Sequence, residues 1–135
     1  MQQGFIKTAA VTPKIRVADP AYNAQVILEK LEEAWEHGAR IIVFPELCLT
    51  GYTCGDLFLQ QKLLEEAKRQ LLLIANATEG KDALVMVGLP LERDGRLYNV
   101  AAVLQDGAIL GMVPKSNIPS YAEFYEGRHF SQGNA

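Results

Sequence analysis

The chain has 135 residues, a length that suits one small domain or part of a larger one. Hydrophobic residues make up 49% and charged residues 21%, a globular balance that argues against a disordered chain. The formal net charge of -3, with Lys and Arg scattered along the sequence, excludes the basic footprint of a nucleic-acid-binding protein. No apolar run approaches the roughly 20 residues that span a bilayer, and the first residues lack the plan of a signal peptide. We therefore expect a cytoplasmic protein with no membrane partner.

The first third of the sequence predicts a strand, a helix and a second strand. Phe5–Val11 is typical of a strand. Asp19 followed by Pro20 predicts a helix start, because Asp caps the first turn and Pro suits the first helical position. Apolar residues then recur at three- and four-residue spacing until Gly38, where a left-handed residue ends the helix. The apolar run Ile41–Phe44 predicts a buried parallel strand.

The middle of the sequence repeats this alternation. Asp56 is a candidate cap for a second helix, whose apolar face ends before Gly80. Ala83–Pro90 predicts a third buried strand, and a turn follows at Arg93–Arg96.

A β-hairpin is predicted next. Leu97–Leu104 and Ala108–Val113 flank an Asp-Gly pair, which favours a two-residue hairpin turn. The order β-α-β-α-β followed by a hairpin indicates an α/β layered fold. Because the sequence stops without a helix to cover the last strands, we expect an incomplete domain.

Glu46 is the first candidate for chemistry. It follows the strand Ile41–Phe44, and ligands of α/β sheets bind beyond the carboxyl ends of such strands. A partly desolvated carboxylate there suits a general base. The alternative is a solvated Glu that caps the next turn.

Lys115 is the second candidate. It follows the return strand of the predicted hairpin, where an ammonium group could stabilise an oxyanion. The alternative is a lysine that protects an edge strand from aggregation.

The cysteines and histidines give weaker signals. If the chain stayed extended, Glu46 and Cys48 would point the same way about 6.5 Å apart, but free cysteines such as Cys48 and Cys54 are mostly buried packing residues. His37 and His129 stand alone, so we expect no metal site.

The segment Ile118–Phe130 combines aromatic and charged side chains. This mixture favours the wall of a pocket for a small polar molecule. A short amphipathic helix docked on the sheet is the alternative.

Two segments resemble a known family. Phe44–Tyr52 resembles the first-glutamate motif of the nitrilase (carbon–nitrogen hydrolase) superfamily, which uses a Glu-Lys-Cys triad in that chain order, and Pro114-Lys115 matches its lysine. Thr50–Phe58 and the residues from Lys115 to Phe130 further resemble the glutamine-dependent NAD synthetases of that superfamily. The resemblance implies an α-β-β-α sandwich, of which this sequence is an incomplete N-terminal portion.

The resemblance also implies residue roles. Glu46 would be the general base, and Lys115 would stabilise the tetrahedral intermediate formed when a cysteine attacks the side-chain amide of glutamine. The residues that match the glutamine pocket of the family are Tyr52, Tyr121, Phe124 and Glu126.

The resemblance implies that residues 1–135 are the N-terminal part of a glutaminase domain. The nucleophilic cysteine of the family lies well downstream of its lysine, so Cys48 and Cys54 match other positions and we expect this chain alone to be inactive. The domain itself would need no cofactor, whereas the synthetase domain, which this sequence does not contain, would use ATP and magnesium. Glutamine, that synthetase domain and a second copy of the protein are the implied partners.

Two alternatives remain open. The sequence also fits a stand-alone amidase of the nitrilase superfamily that acts on another small amide. It also fits a non-catalytic remnant that binds a ligand through Glu46, Lys115 and the aromatic segment.

Overall fold

The computed structural model describes residues 4–51, 60–116, 120–121 and 124–125. The helices and strands, in chain order, are β1 (Thr8–Ala10), α1 (Pro20–Glu36), β2 (Ile41–Val43), α2 (Gln61–Ala77), β3 (Leu84–Arg93), β4 (Arg96–Gln105), β5 (Ala108–Pro114), β6 (Ser120–Tyr121) and β7 (Phe124–Tyr125). The predicted order β-α-β-α-β followed by a hairpin is confirmed. The first strand is shorter than predicted, covering three residues instead of Phe5–Val11.

Strands β1 to β5 form one mixed sheet in chain order. β1, β2 and β3 are parallel neighbours, and β3, β4 and β5 are antiparallel neighbours. Two tight turns of the same kind produce the antiparallel half. Asp94-Gly95 and Asp106-Gly107 both have positive φ values, 54° and 74° in the first pair and 46° and 80° in the second. Such turns match the right-handed twist of the paired strands, which confirms the predicted hairpin.

Helix α1 begins and ends where the sequence predicts. The Asp19 side chain accepts a hydrogen bond of 3.1 Å from the backbone N–H of Tyr22, and Pro20 occupies the first turn. Gly38, just beyond the helix, has a φ of 89°. The cap and the left-handed glycine thus fix both ends of the helix.

Helix α2 differs from its predicted start. It begins at Gln61 with Gln60 in the N-cap position, and no side chain caps it there. The predicted cap, Asp56, lies outside the described residues. The predicted apolar face is confirmed by the buried residues Leu63, Leu64, Ala67, Leu71, Ile74 and Ala75.

Both helices contribute to a core on one face of the sheet. This core joins Ile27 and Leu31 of α1 and Leu71 of α2 to Val85 and Val87 of β3, all essentially inaccessible to solvent. The opposite face, called the open face below, is partly exposed over the described residues. Val43 of β2 is 39% exposed and Val113 of β5 is 61% exposed, so the predicted parallel strand β2 is buried at Ile42 but exposed at Val43 in the described part of the chain. The described residues therefore form one α layer and one β layer.

The last described residues form a small second sheet. Ser120 pairs with Tyr125 and Tyr121 with Phe124 in an antiparallel pair of short strands. The alternative of an amphipathic helix is therefore wrong for these four residues. No helix in the described part of the chain is long and apolar enough to cross a membrane.

Candidate active site

Glu46 and Lys115 meet although 69 residues separate them in the sequence. The Lys115 Nζ atom lies 3.0 Å from Oε1 and 3.2 Å from Oε2 of Glu46, so one ammonium group donates to both carboxylate oxygens. The side chains are 24% exposed for Lys115 and 44% exposed for Glu46. A partly exposed pair of this kind holds opposite charges together while both groups stay accessible to a small molecule.

The segment after β2 brings Glu46 to this position. Phe44 extends the pairing with β3 through a 2.9 Å bond from its N–H to the carbonyl of Met86. The chain then turns, and Leu47 adopts a φ of 51°, in the left-handed region that a bulky residue seldom occupies. Because the chain leaves the extended conformation here, the condition under which Glu46 and Cys48 would point the same way is not met.

The antiparallel half of the sheet brings Lys115 to the same position. Its backbone N–H donates a 2.8 Å hydrogen bond to the carbonyl oxygen of Asn99 on β4 and so continues the ladder one residue beyond β5. Val113, two residues earlier, is exposed on the open face. Since side chains alternate along a strand, Lys115 lies on that same face.

A pocket of about 450 Å³ lies beside the ion pair on the open face of the sheet. Pro45, Met86, Ala101 and Val113 supply apolar walls, and Glu46, Asn99 and Lys115 supply polar groups. Pockets for small molecules commonly combine apolar walls with a few fixed polar groups. The carboxylate can accept a proton, and the ammonium can stabilise a developing negative charge.

Cys48 lies near Glu46 in sequence but turns away from the pocket. It is 1% exposed, and its Sγ atom donates a 3.6 Å hydrogen bond to the carbonyl of Gly88. Burial raises the pKa of the Cys48 thiol to about 12. A thiol with that pKa stays protonated at neutral pH and is a poor nucleophile.

The remaining predicted site residues are described only in part. Tyr121 and Phe124 are partners in the register of the β6–β7 strand pair. Tyr52 and Glu126 lie outside the described residues, as do Cys54 and His129. The other histidine, His37, lies near the end of α1, where its Nδ1 atom is 2.7 Å from the carbonyl oxygen of Glu33. Among the described ranges, no group of three or more His, Cys, Asp and Glu side chains is arranged to hold a metal ion.

Sequence reasoning missed a buried asparagine that supports the site. Asn23 is fully buried on α1, where its side chain donates to the carbonyls of Arg16 and Leu49 at 2.7 Å and 3.0 Å. Its Oδ1 atom accepts a 2.6 Å bond from the N–H of Arg16. The asparagine therefore ties the segment after Glu46 to the helix. A polar residue on the apolar face of α1 is the signal that could have identified it.

A family profile described as "Carbon-nitrogen hydrolase" matches residues 7–135. The chain is 43% identical to the glutamine-dependent NAD(+) synthetase of Mycobacterium tuberculosis, over 98% of this chain and 20% of that protein. It is 38% identical to the enzyme of the same name from Acinetobacter baylyi, over 99% of this chain and 24% of that protein. The chain thus spans about one fifth to one quarter of the length of these curated relatives.

Solved structures share the fold. A glutamine-dependent NAD(+) synthetase from Cytophaga hutchinsonii superposes with a TM-score of 0.89 at 31% identity, over 94% of this chain and 22% of that protein. An amidase from Nesterenkonia sp. has a TM-score of 0.81 at 22% identity, over all of this chain and 51% of that protein, and shows the fold alone. The predicted nitrilase-like α/β fold is confirmed.

Proposed function

The chain belongs to the carbon–nitrogen hydrolase family, and we propose that it carries the Glu and Lys of a Glu-Lys-Cys site that hydrolyses the side-chain amide of glutamine. The observation that carries the proposal is the 3.0 Å contact between Glu46 and Lys115 beside a pocket of about 450 Å³. The names of the relatives support glutamine as the substrate.

Each residue of the pair has a distinct role in this proposal. Glu46 takes the proton of the nucleophilic thiol, and the thiolate attacks the amide carbon of glutamine. The Lys115 ammonium stabilises the negative charge that forms on the amide oxygen. Glu46 then returns the proton to the departing nitrogen, which leaves as ammonia. Water, activated by Glu46, finally hydrolyses the thioester and releases glutamate.

The nucleophile in this proposal is a cysteine outside the given sequence. The buried Cys48 does not suit the role, because its thiol stays protonated and bonds to a backbone carbonyl. Residues 1–135 would then form the N-terminal part of the glutaminase domain and would release no ammonia alone. Tyr52, Tyr121, Phe124 and Glu126 are proposed to line the glutamine pocket.

The ammonia is proposed to serve NAD synthesis in a cytoplasmic, homo-oligomeric protein. The glutaminase domain would need no cofactor, while a synthetase domain of the same protein would use ATP and magnesium. No nucleic acid or membrane takes part.

The test is ammonia release from glutamine by the full-length protein that contains this chain. We expect Glu46→Gln to lower kcat by about 10³-fold, because a proton acceptor typically contributes 10²–10⁴-fold. Glu92→Gln, at an exposed position of β3, is the matched control and should leave kcat unchanged. Hydrolysis of other small amides but not glutamine would favour a stand-alone amidase. Binding of glutamine without ammonia release by the wild type would favour a non-catalytic remnant.

A further inference from the structure

Glu46 and Lys115 come from strands that are not neighbours in the sheet. Glu46 follows β2 and Lys115 follows β5, and β3 and β4 lie between them. Neighbouring strands lie about 4.8 Å apart, so the axes of β2 and β5 are about 14 Å apart. The segment that carries Glu46 must therefore extend across the sheet to reach Lys115.

That segment crosses β3 at a glycine. A Cβ atom at Gly88 would lie 2.6 Å from the carbonyl oxygen of Pro45, 2.9 Å from the carbonyl carbon of Glu46 and 2.5 Å from the nitrogen of Leu47. All three are backbone atoms, which cannot rotate away as the end of a side chain would. The segment thus lies in direct backbone contact with β3.

The same residue also holds the segment beyond the crossing. The carbonyl oxygen of Gly88 accepts a 3.2 Å hydrogen bond from the N–H of Leu49 and a 3.6 Å bond from the Cys48 thiol. Gly88 therefore contacts the segment before, at and after Glu46. A glycine inside a strand commonly marks such a close approach of another backbone.

We infer that Gly88 is a positioning residue for the reaction. Its missing side chain lets Pro45–Leu47 cross β3 in backbone contact, which places the Glu46 carboxylate within hydrogen-bond reach of Lys115. Any larger residue lifts this segment from the sheet and moves the carboxylate away from the ammonium and the pocket. The catalytic consequence of this inference rests on the proposed glutaminase function.

The test compares Gly88→Ala with Gly111→Ala in the full-length protein. Gly111 lies on β5, and a Cβ atom there meets nothing within 4 Å, so it controls for the loss of a strand glycine. We expect Gly88→Ala to lower kcat for glutamine hydrolysis by about 10²-fold, since a displacement of about 1 Å can have that effect. Gly111→Ala should stay within about threefold of the wild type. Gly88→Ala should still fold, with a Tm lowered by no more than about 10 °C.

A double variant separates positioning from a general structural role. If Gly88 acts through Glu46, adding Gly88→Ala to Glu46→Gln should change the residual rate by less than about threefold, because the group it positions is already gone. An equal further loss in the Glu46→Gln background would overturn the inference. It would also be overturned by a Gly88→Ala protein that keeps wild-type kcat or fails to fold.

The position of Glu46 can be judged apart from the proposed function. If the wild type releases no ammonia, the proposed function fails, and the inference is then decided by crystal structures of the wild type and Gly88→Ala. A separation between the Glu46 carboxylate and Lys115 Nζ that rises beyond about 4 Å, the limit for an ion pair, would support the positioning role. An unchanged separation of 3.0 Å would refute it.

Discussion

The two members of the ion pair reach the same place from very different surroundings. Glu46 lies in a turn that leaves the sheet, crosses β3 against Gly88 and contains a residue with positive φ, Leu47. Lys115 directly extends a regular antiparallel ladder through its bond to Asn99. The carboxylate therefore depends on backbone contacts between its own segment and Gly88 of β3, whereas the ammonium lies on a long side chain that adjusts by rotation. The Glu46 carboxylate should be the more sensitive of the two to substitutions that disturb the backbone around it.

Removing the ammonium should lower activity about as strongly as removing the Glu46 carboxylate. Lys115→Met keeps the length of the side chain but removes its charge, so we expect kcat for glutamine hydrolysis to fall by about 10²–10³-fold, the usual effect of losing an oxyanion stabiliser. Steady-state ammonia release by the full-length protein measures it. Lys62→Met, at an exposed position of α2, is the control. A Lys115→Met protein with wild-type kcat would remove Lys115 from the mechanism.

Replacing Asn23 tests whether its hydrogen bonds anchor the segment that follows Glu46. Asn23→Ala leaves the carbonyls of Arg16 and Leu49 without the amide group that now bonds to both. Because these buried groups lose their partner, we expect the free energy of unfolding to fall by about 2–4 kcal/mol. Urea unfolding measures the change, with the exposed Gln25→Ala on the same helix as control. Equal stability of the two variants would contradict the anchoring role.

The burial of Cys48, on the same segment as Glu46, should make the stability of the protein depend on pH. Burial raises the pKa of its thiol from 9.0 to about 12 in the folded protein. The folded state therefore favours the protonated thiol, and this stability is complete below pH 9 and declines as the pH rises towards 12. Between pH 8 and pH 10 the wild type should lose about 1.4 kcal/mol more stability than Cys48→Ala. Identical pH profiles of unfolding, or rapid alkylation of native Cys48 at pH 8, would contradict its burial.

The aspartates of the two hairpin turns should contribute unequally to the stability of the protein. Asp94 and Asp106 both have positive φ, but only for Asp106 does the structure give a side-chain bond to a distant loop, 2.8 Å from Oδ1 to the N–H of Gly80. Asp94 is 92% exposed. We expect Asp106→Ala to lower the free energy of unfolding by about 1 kcal/mol more than Asp94→Ala, since the backbone strain is shared and the bond is not. Equal losses in urea unfolding would show that the bond contributes nothing.

The sequence pattern was sufficient to predict the order of the elements and to single out Glu46 and Lys115 as separate candidates. The cap at Asp19, the left-handed Gly38 and the Asp106-Gly107 turn each follow from local backbone preferences, so their positions could be predicted. The proximity of Glu46 and Lys115 was expected only through the family resemblance. Periodicity placed both residues after strands, but it says nothing of which strands are neighbours.

The features that the sequence pattern could not reveal are contacts between residues far apart in the chain. The crossing at Gly88 and the hydrogen bonds of Asn23 join segments that are far apart in the chain, and no local preference encodes them. The left-handed conformation of Leu47 was not anticipated either, because a positive φ contradicts the preference of its residue type. These are the contacts that give the Glu46 carboxylate its position.

Glu46 and Lys115 are proposed to act together on glutamine. The most direct test is the kcat for ammonia release by full-length Glu46→Gln, Lys115→Met and the double variant. Because residues that act as a unit are strongly non-additive, the double variant should be no slower than the slower single variant within about threefold. If the losses of the two single variants multiply in the double variant, or if either single variant keeps more than about one tenth of wild-type kcat, Glu46 and Lys115 do not share a catalytic site.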